Sequence, residues 1–164
     1  MHTVRTEDAP EYLVDNVDIA EEAVIEHALG ILGSRLRKPG EAFRSPASVQ
    51  DYLRLYFAGM EHEVFATLWL DSQHRLIEAV PMFRGTLTQT SVYPREVVKD
   101  ALRFNAAAVI LAHNHPSGYA EPSRDDEIIT STLKATLDLI DVRVLDHIIV
   151  AGKGITSFAE RGLI

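Results

Sequence analysis

Three residues whose types suit a metal ion lie close together in the sequence. His113 and His115 are two positions apart, so in an extended backbone both imidazoles point to the same side. Asp126 follows in the first turn of a predicted helix, where its carboxylate can return to the same point. Two imidazoles and one carboxylate suit Zn²⁺, and three protein ligands leave a fourth position for water, which is typical of a catalytic zinc site.

The same residues also have ordinary explanations. A His-x-His pair beside a loop often arises by chance or as surface polarity, so the pair alone is weak support for a metal site. Ser123 and Asp126 have the Ser-x-x-Asp spacing of a capping box, in which each side chain satisfies the backbone N–H of the other residue. Capping is the better explanation of that spacing alone, and we expect one carboxylate to serve both a cap and a metal poorly.

The elements that must position these residues alternate between helices and strands. We predict helices over about 18–38, 48–60, 94–104 and 123–140, and strands over 64–70, 75–83, 106–112, 142–150 and 155–159. The run 106–112 is continuously apolar and too short for most helices, which favours a strand buried on both faces, with 113–122 as the loop that follows it. The alternation predicts an α/β fold with a mixed sheet.

Composition and charge limit the function further. The sequence of 164 residues contains no cysteine, which excludes thiolate zinc sites and a cysteine nucleophile within it. The formal net charge of −8 makes tight nucleic-acid binding unexpected, because phosphate contacts need clustered Lys and Arg. No apolar run approaches the roughly 20 residues of a membrane span. The first residues lack the apolar core of a signal peptide, so we expect a cytoplasmic protein without membrane association.

Longer segments of the sequence resemble a known family. His-x-His followed, after seven intervening residues, by Ser-x-x-Asp resembles the motif of the JAMM (MPN-plus, JAB) metalloproteases, and the match is closest to the bacterial RadC-like family. The matching segments begin near residue 46 and continue in the expected order to the end of the sequence. They are Leu70-Asp71, Phe83-Arg84-Gly85-Thr86, Val92-Tyr93-Pro94-Arg95-Glu96, His113-Asn114-His115-Pro116-Ser117-Gly118, Pro122-Ser123, Leu145-Asp146-His147 and Ser157-Phe158-Ala159-Glu160-Arg161-Gly162.

This resemblance implies a fold and a division of the chain. The implied fold is the JAMM type, similar to cytidine deaminases, with a mixed, curved sheet flanked by helices. Residues 46–164 would form the metal-dependent hydrolase domain, and residues 1–45 an N-terminal arm and helix. Longer RadC-like proteins carry a DNA-associated helix-hairpin-helix region at that end, which residues 1–45 do not resemble. In this respect the sequence is more similar to the short forms found in mobile elements.

The resemblance also implies a reaction, the hydrolysis of a peptide or isopeptide bond in a peptide or protein substrate, with Zn²⁺ on the two histidines and Asp126. The family pattern needs a glutamate at the start of the first core strand as the proton acceptor. Glu63 directly precedes the predicted strand and is preferred, while Glu61 would point to the same side and is the alternative. The pattern assigns Ser123 a hydrogen bond to the oxyanion, and His147 is interpreted as a strand histidine or a support for a ligand.

Two other functions are weighed against hydrolysis. One is a DNA-repair or mobile-element accessory factor that uses the domain as a binding module. A basic groove beside the site would support it, and the acidic composition argues against it. The other is a zinc nucleoside deaminase, which is disfavoured because its Pro-Cys-x-x-Cys motif needs cysteines.

Overall fold

Helices and strands alternate in the computed structural model, which describes residues 12–38, 46–85 and 92–164, with side chains from residue 20 onward. The helices are α1 (Tyr12–Arg37), α2 (Pro46–Tyr56), α3 (Pro94–Arg103) and α4 (Arg124–Asp138). The strands are β1 (Val64–Leu70), β2 (Leu76–Arg84), β3 (Ala108–Asn114), β4 (Arg143–Ala151) and β5 (Gly154–Ser157). Within these ranges, none of the helices combines the length and apolar character needed to span a membrane.

The five strands form one open, mixed sheet in the order β2-β1-β3-β4-β5. Strand β1 pairs antiparallel with both β2 and β3, and β4 pairs antiparallel with β5. Strands β3 and β4 are parallel, and α4 forms the crossover that such a pair requires. The predicted α/β class, a mixed sheet flanked by helices, is therefore confirmed.

Apolar side chains cover both faces of the sheet. On one face, residues of α1 and α2, such as Leu53, pack with Leu68 of β1. On the other face, residues of α3 and α4, such as Leu133, pack with Trp69 of β1. Neighbouring residues of β1 thus enter different cores, as the alternation of a strand requires. Strand β3 is buried along its whole length, as its apolar sequence and central position predict.

The predicted start of the first helix is wrong. Helix α1 begins at Tyr12, not near residue 18 as predicted. Residues 12–17 precede the predicted helix but are helical in the structure, and they contain no glycine or proline to interrupt helical backbone. Residues 1–11 and 39–45 lie outside the described residues.

The predicted position of the central strand is also wrong, and this affects the site. Strand β3 extends over Ala108–Asn114, two residues beyond the end of the apolar run. Its pairing with β1 and β4 continues through His113, because both neighbouring strands are long enough to provide partners there. His113 is consequently a buried strand residue, and the loop begins only at His115.

Candidate metal centre

The end of β3 carries the first two candidate ligands. His113 is buried, and the register of β1 and β3 pairs it with Phe65, whose ring stacks on the imidazole at 6.2 Å. His115 lies just beyond the strand and is half-buried. Its backbone N–H donates to the carbonyl oxygen of Val150 at the end of β4, at 2.8 Å. The sheet therefore fixes the backbone of both histidines.

The third candidate ligand comes from the first turn of α4. Ser123 is the N-cap of this helix, and its hydroxyl accepts the backbone N–H of Asp126 at 3.1 Å. The carboxylate of Asp126 accepts the backbone N–H and the hydroxyl of Ser123, both at 2.7 Å to Oδ2. The capping box suggested by the sequence is thus present.

The two oxygens of the Asp126 carboxylate have different nearest neighbours. Oδ2 of Asp126 completes the cap, whereas Oδ1 lies 3.2 Å from Nε2 of His113. The expectation that one carboxylate would serve both poorly is therefore wrong, because each task takes one oxygen. Burial raises the pKa of Asp126, but the His113 imidazole and the Ser123 hydroxyl and N–H outweigh it and hold that pKa well below its usual range. The group is an anion at neutral pH.

The ligand atoms of the three residues converge. Nε2 of His113 lies 2.8 Å from Nε2 of His115, which lies 3.7 Å from Oδ2 of Asp126. One ligand atom from each residue lies within 4.8 Å of the other two. The structure thus brings together the three residues that the sequence proposed as metal ligands.

The chemistry of this donor set fits a cation. Nδ1 of His115 lies 2.7 Å from the carbonyl oxygen of Tyr119, which can only accept, so Nδ1 carries the proton and Nε2 presents a lone pair. Nδ1 of His113 contacts His147 and also leaves Nε2 facing the site. Two ring nitrogens and an anionic oxygen therefore point at one another, and a positive charge between them is favourable. These are ligand types that Zn²⁺ binds.

Glu63 is not among these converging residues. It directly precedes β1, and extending the β1–β3 register by two positions brings it opposite His115. Its backbone oxygen accepts the N–H of Gly85 at 2.8 Å. Glu61, the alternative, is exposed, whereas Glu63 is half-buried.

Asn114 holds the segment that carries Glu63, a role that the sequence did not reveal. The buried side chain of Asn114 accepts the N–H of Val64 at 2.7 Å and donates to the carbonyl of His62 at 2.9 Å. It therefore binds the backbone on both sides of Glu63. The sequence analysis placed Asn114 only in the loop after the apolar run. The feature that could have revealed its role was a polar amide close to that run.

His147 and Thr130 form a second buried polar contact behind His113. Nε2 of His147 lies 2.8 Å from Nδ1 of His113, and Nδ1 of His147 lies 2.6 Å from the hydroxyl of Thr130. The interpretation of His147 as a support for a ligand agrees with this contact, whereas Thr130 was missed. The feature that could have revealed Thr130 was its position four residues after Asp126, which places both residues on one helix face.

Comparisons with known proteins identify a family that agrees with this fold. The family model of the RadC-like JAB domain matches residues 43–163. The chain is 62% identical over 144 residues to a UPF0758 protein of Leptothrix cholodnii, covering 87% of this chain and 64% of that protein. It is 64% identical over 125 residues to a UPF0758 protein of Dechloromonas aromatica, covering 76% of this chain and 55% of that protein.

The fold and the site define a JAB-type domain with a group of residues that could bind a metal. More narrowly, the chain belongs to the RadC-like JAB domain family, which confirms the resemblance found in the sequence. The chain spans about three fifths of the length of the curated relatives it matches, as the shares of 64% and 55% show.

Proposed function

We propose that this chain is a zinc-dependent hydrolase of peptide or isopeptide bonds, with the metal on His113, His115 and Asp126. The observation that carries the proposal is the convergence of two imidazole nitrogens and one carboxylate oxygen at the end of β3. Zinc held by three such ligands supplies a Lewis acid that activates water and polarises a carbonyl oxygen.

In this proposal Glu63 moves the proton. Its carboxylate accepts a proton from the attacking water and delivers it to the leaving amine. Its place at the start of β1, held through Asn114, supports this role because general acid–base catalysis needs a positioned group. Glu61 lies two residues further from β3 and is exposed, so Glu63 remains the preferred residue.

Ser123 donates a hydrogen bond to the oxyanion in this proposal. In the structure its hydroxyl donates to Oδ2 of Asp126, which also accepts the Ser123 backbone N–H. Oδ2 therefore keeps one hydrogen bond when the hydroxyl rotates toward a substrate. Ser123 is exposed, so a substrate can reach it.

Metal content and peptide hydrolysis, measured on the same preparations, test the proposal. We expect about one zinc per chain in protein purified without added metal, and cleavage of at least one member of a panel of peptide and isopeptide substrates. His115→Ala should lose most of the zinc and all cleavage. His27→Ala is the matched control, because His27 is exposed on α1 and outside the site. Full zinc occupancy in His115→Ala would contradict the ligand assignment, and a zinc-loaded protein that cleaves none of the panel would contradict the hydrolase.

A further inference from the structure

A buried chain of hydrogen bonds runs from helix α4 to the back of His113. It starts at the backbone carbonyl of Asp126, which accepts the hydroxyl proton of Thr130 at 2.5 Å. The same hydroxyl oxygen lies 2.6 Å from Nδ1 of His147, and Nε2 of His147 lies 2.8 Å from Nδ1 of His113. Thr130 and His147 are both buried, so water cannot readily replace either of them.

The carbonyl of Asp126, at which these hydrogen bonds start, determines which partner donates in each of them. A carbonyl oxygen has no proton, so the only proton of the Thr130 hydroxyl must occupy the short contact to Asp126. The hydroxyl oxygen can then only accept from His147, which places the proton of His147 on Nδ1. Nε2 of His147 consequently has a lone pair and accepts the N–H of His113 at Nδ1. His113 is left with its own lone pair on Nε2, facing the site.

The surroundings of His147 favour a neutral imidazole. The ring centroids of Phe65 and Phe158 lie 5.6 and 4.7 Å from the centroid of the His147 imidazole. The side chain of His147 is fully buried. Such a buried environment disfavours a charged imidazolium. A neutral imidazole has one N–H and one lone pair, as the chain of hydrogen bonds requires.

We infer that Thr130 and His147 are positioning residues that fix His113 in the tautomer able to bind a metal through Nε2. This inference rests on the proposed function in one respect, the assignment of His113 as a ligand. The chain of hydrogen bonds begins at the backbone carbonyl of Asp126 and ends at His113. It therefore connects two of the three proposed ligands. Hydrogen-bond partners of this kind typically change metal affinity by about 10–100-fold when removed.

The first test determines the tautomer of His147 in the metal-free protein. Long-range ¹H–¹⁵N correlation spectra of protein labelled at histidine distinguish protonated from unprotonated ring nitrogens, and the spectrum of His147→Gln assigns the His147 signals. We expect Nδ1 of His147 to be protonated and Nε2 to be unprotonated. The reverse pattern would overturn the inference. Because no metal or substrate is present, this result is independent of whether the protein is a hydrolase.

The second test compares variants at Thr130 in zinc affinity, measured by competition with a chromogenic chelator. Thr130→Val keeps the shape but loses the hydroxyl, so the proton of His147 can move to Nε2 and direct a proton of His113 toward the site. We expect zinc binding about 10–100-fold weaker and a changed His147 spectrum. Thr130→Ser retains a hydroxyl and should keep both properties of the parent.

A control variant separates positioning from general destabilisation. Leu133→Ala removes a fully buried side chain from the same helix without touching the chain of hydrogen bonds. It should lower the melting temperature and leave zinc affinity and the His147 spectrum unchanged. Equal weakening of zinc binding in Leu133→Ala and Thr130→Val, or parental zinc binding in Thr130→Val, would overturn the inference. Failure to cleave any substrate, with these results intact, would overturn only the proposed function.

Discussion

At the scale of single residues, Asp126 shows how a local structural motif can prepare a chemical site. The cap at the start of α4 holds its carboxylate through Oδ2 and leaves Oδ1 toward His113. The carboxylate is therefore oriented by backbone geometry, as the proposed metal site requires. The same arrangement makes Ser123 ambiguous, because its hydroxyl belongs to the cap and is also proposed to serve the oxyanion.

Replacing Ser123 separates these two roles. If Ser123 donates to the oxyanion, Ser123→Ala should lower the hydrolysis rate by roughly 10²–10³-fold. If it serves only the cap, the variant should lose about 1 kcal/mol of stability with little change in rate. Melting temperature and rate measured on the same preparation distinguish the outcomes. Ser123→Thr retains a hydroxyl and a good capping residue, and it should remain close to the parent in both measurements.

Glu63→Gln tests the proposed proton carrier. Glutamine keeps the shape of the side chain but cannot accept the proton, so the hydrolysis rate should fall by roughly 10²–10⁴-fold. Zinc content should not change, because Glu63 is not among the converging ligands. Glu61→Gln is the matched control and should stay active. An inactive Glu61→Gln beside an active Glu63→Gln would show that the other glutamate is the base, and full activity in both would contradict this mechanism.

At the scale of elements, the pairing of β1 with β3 positions Glu63, the proposed proton carrier. The strands are antiparallel, so the beginning of β1 lies beside the end of β3, where the histidines are. The amide of Asn114 bonds the backbone on both sides of Glu63 and continues the strand pairing by one residue. Glu63 therefore approaches the site on a segment fixed from both sides.

Removing this amide should affect catalysis more than metal binding. Asn114→Ala leaves the N–H of Val64 and the carbonyl of His62 without their partner, which should cost about 1–3 kcal/mol of stability. The rate should fall because Glu63 loses its fixed position, while zinc content stays at the level of the parent. Chemical unfolding, rate and metal content are measured together. Asn114→Asp keeps the acceptor for Val64 and should fall between the parent and Asn114→Ala; loss of zinc in Asn114→Ala would contradict this role.

At the scale of the whole molecule, the sheet order brings three neighbours to one end of β3. Strand β1 begins there, the parallel strand β4 ends there, and the crossover helix α4 begins there. The chain is acidic, with a formal net charge of −8. A charge of this sign disfavours tight binding to a polyanion.

The charge leads to a prediction about nucleic acid. We expect this chain to bind duplex and branched DNA with Kd values of about 10⁻⁴ to 10⁻⁶ M or weaker at physiological salt, and without preference for one structure. Fluorescence anisotropy over a range of salt concentrations measures this. Sub-micromolar, salt-resistant binding to one defined DNA structure would favour the accessory-factor alternative. The His115→Ala variant serves as a control for any contribution of the metal site.

Several properties of this protein follow from the sequence by itself. The alternation of helices and strands, the burial of β3 and the cap at Ser123 depend on local periodicity and short-range hydrogen bonds, which the sequence displays directly. The grouping of His113, His115 and Asp126 also uses only local geometry, a strand end followed by a helix start. The structure brings these residues together, and their binding of zinc stays a prediction.

Only the tertiary structure decided which polar residues support that group. The contact of His113 with His147 spans 34 residues, and that of Asn114 with Val64 spans 50. Such contacts depend on strand order and on a register set by long-range pairing, which a single sequence does not specify. For the same reason β3 continues to Asn114, since its neighbours provide backbone partners beyond the apolar run. The proton directions behind His113 follow from that register, because it places Thr130, His147 and His113 within hydrogen-bonding distance inside one buried core.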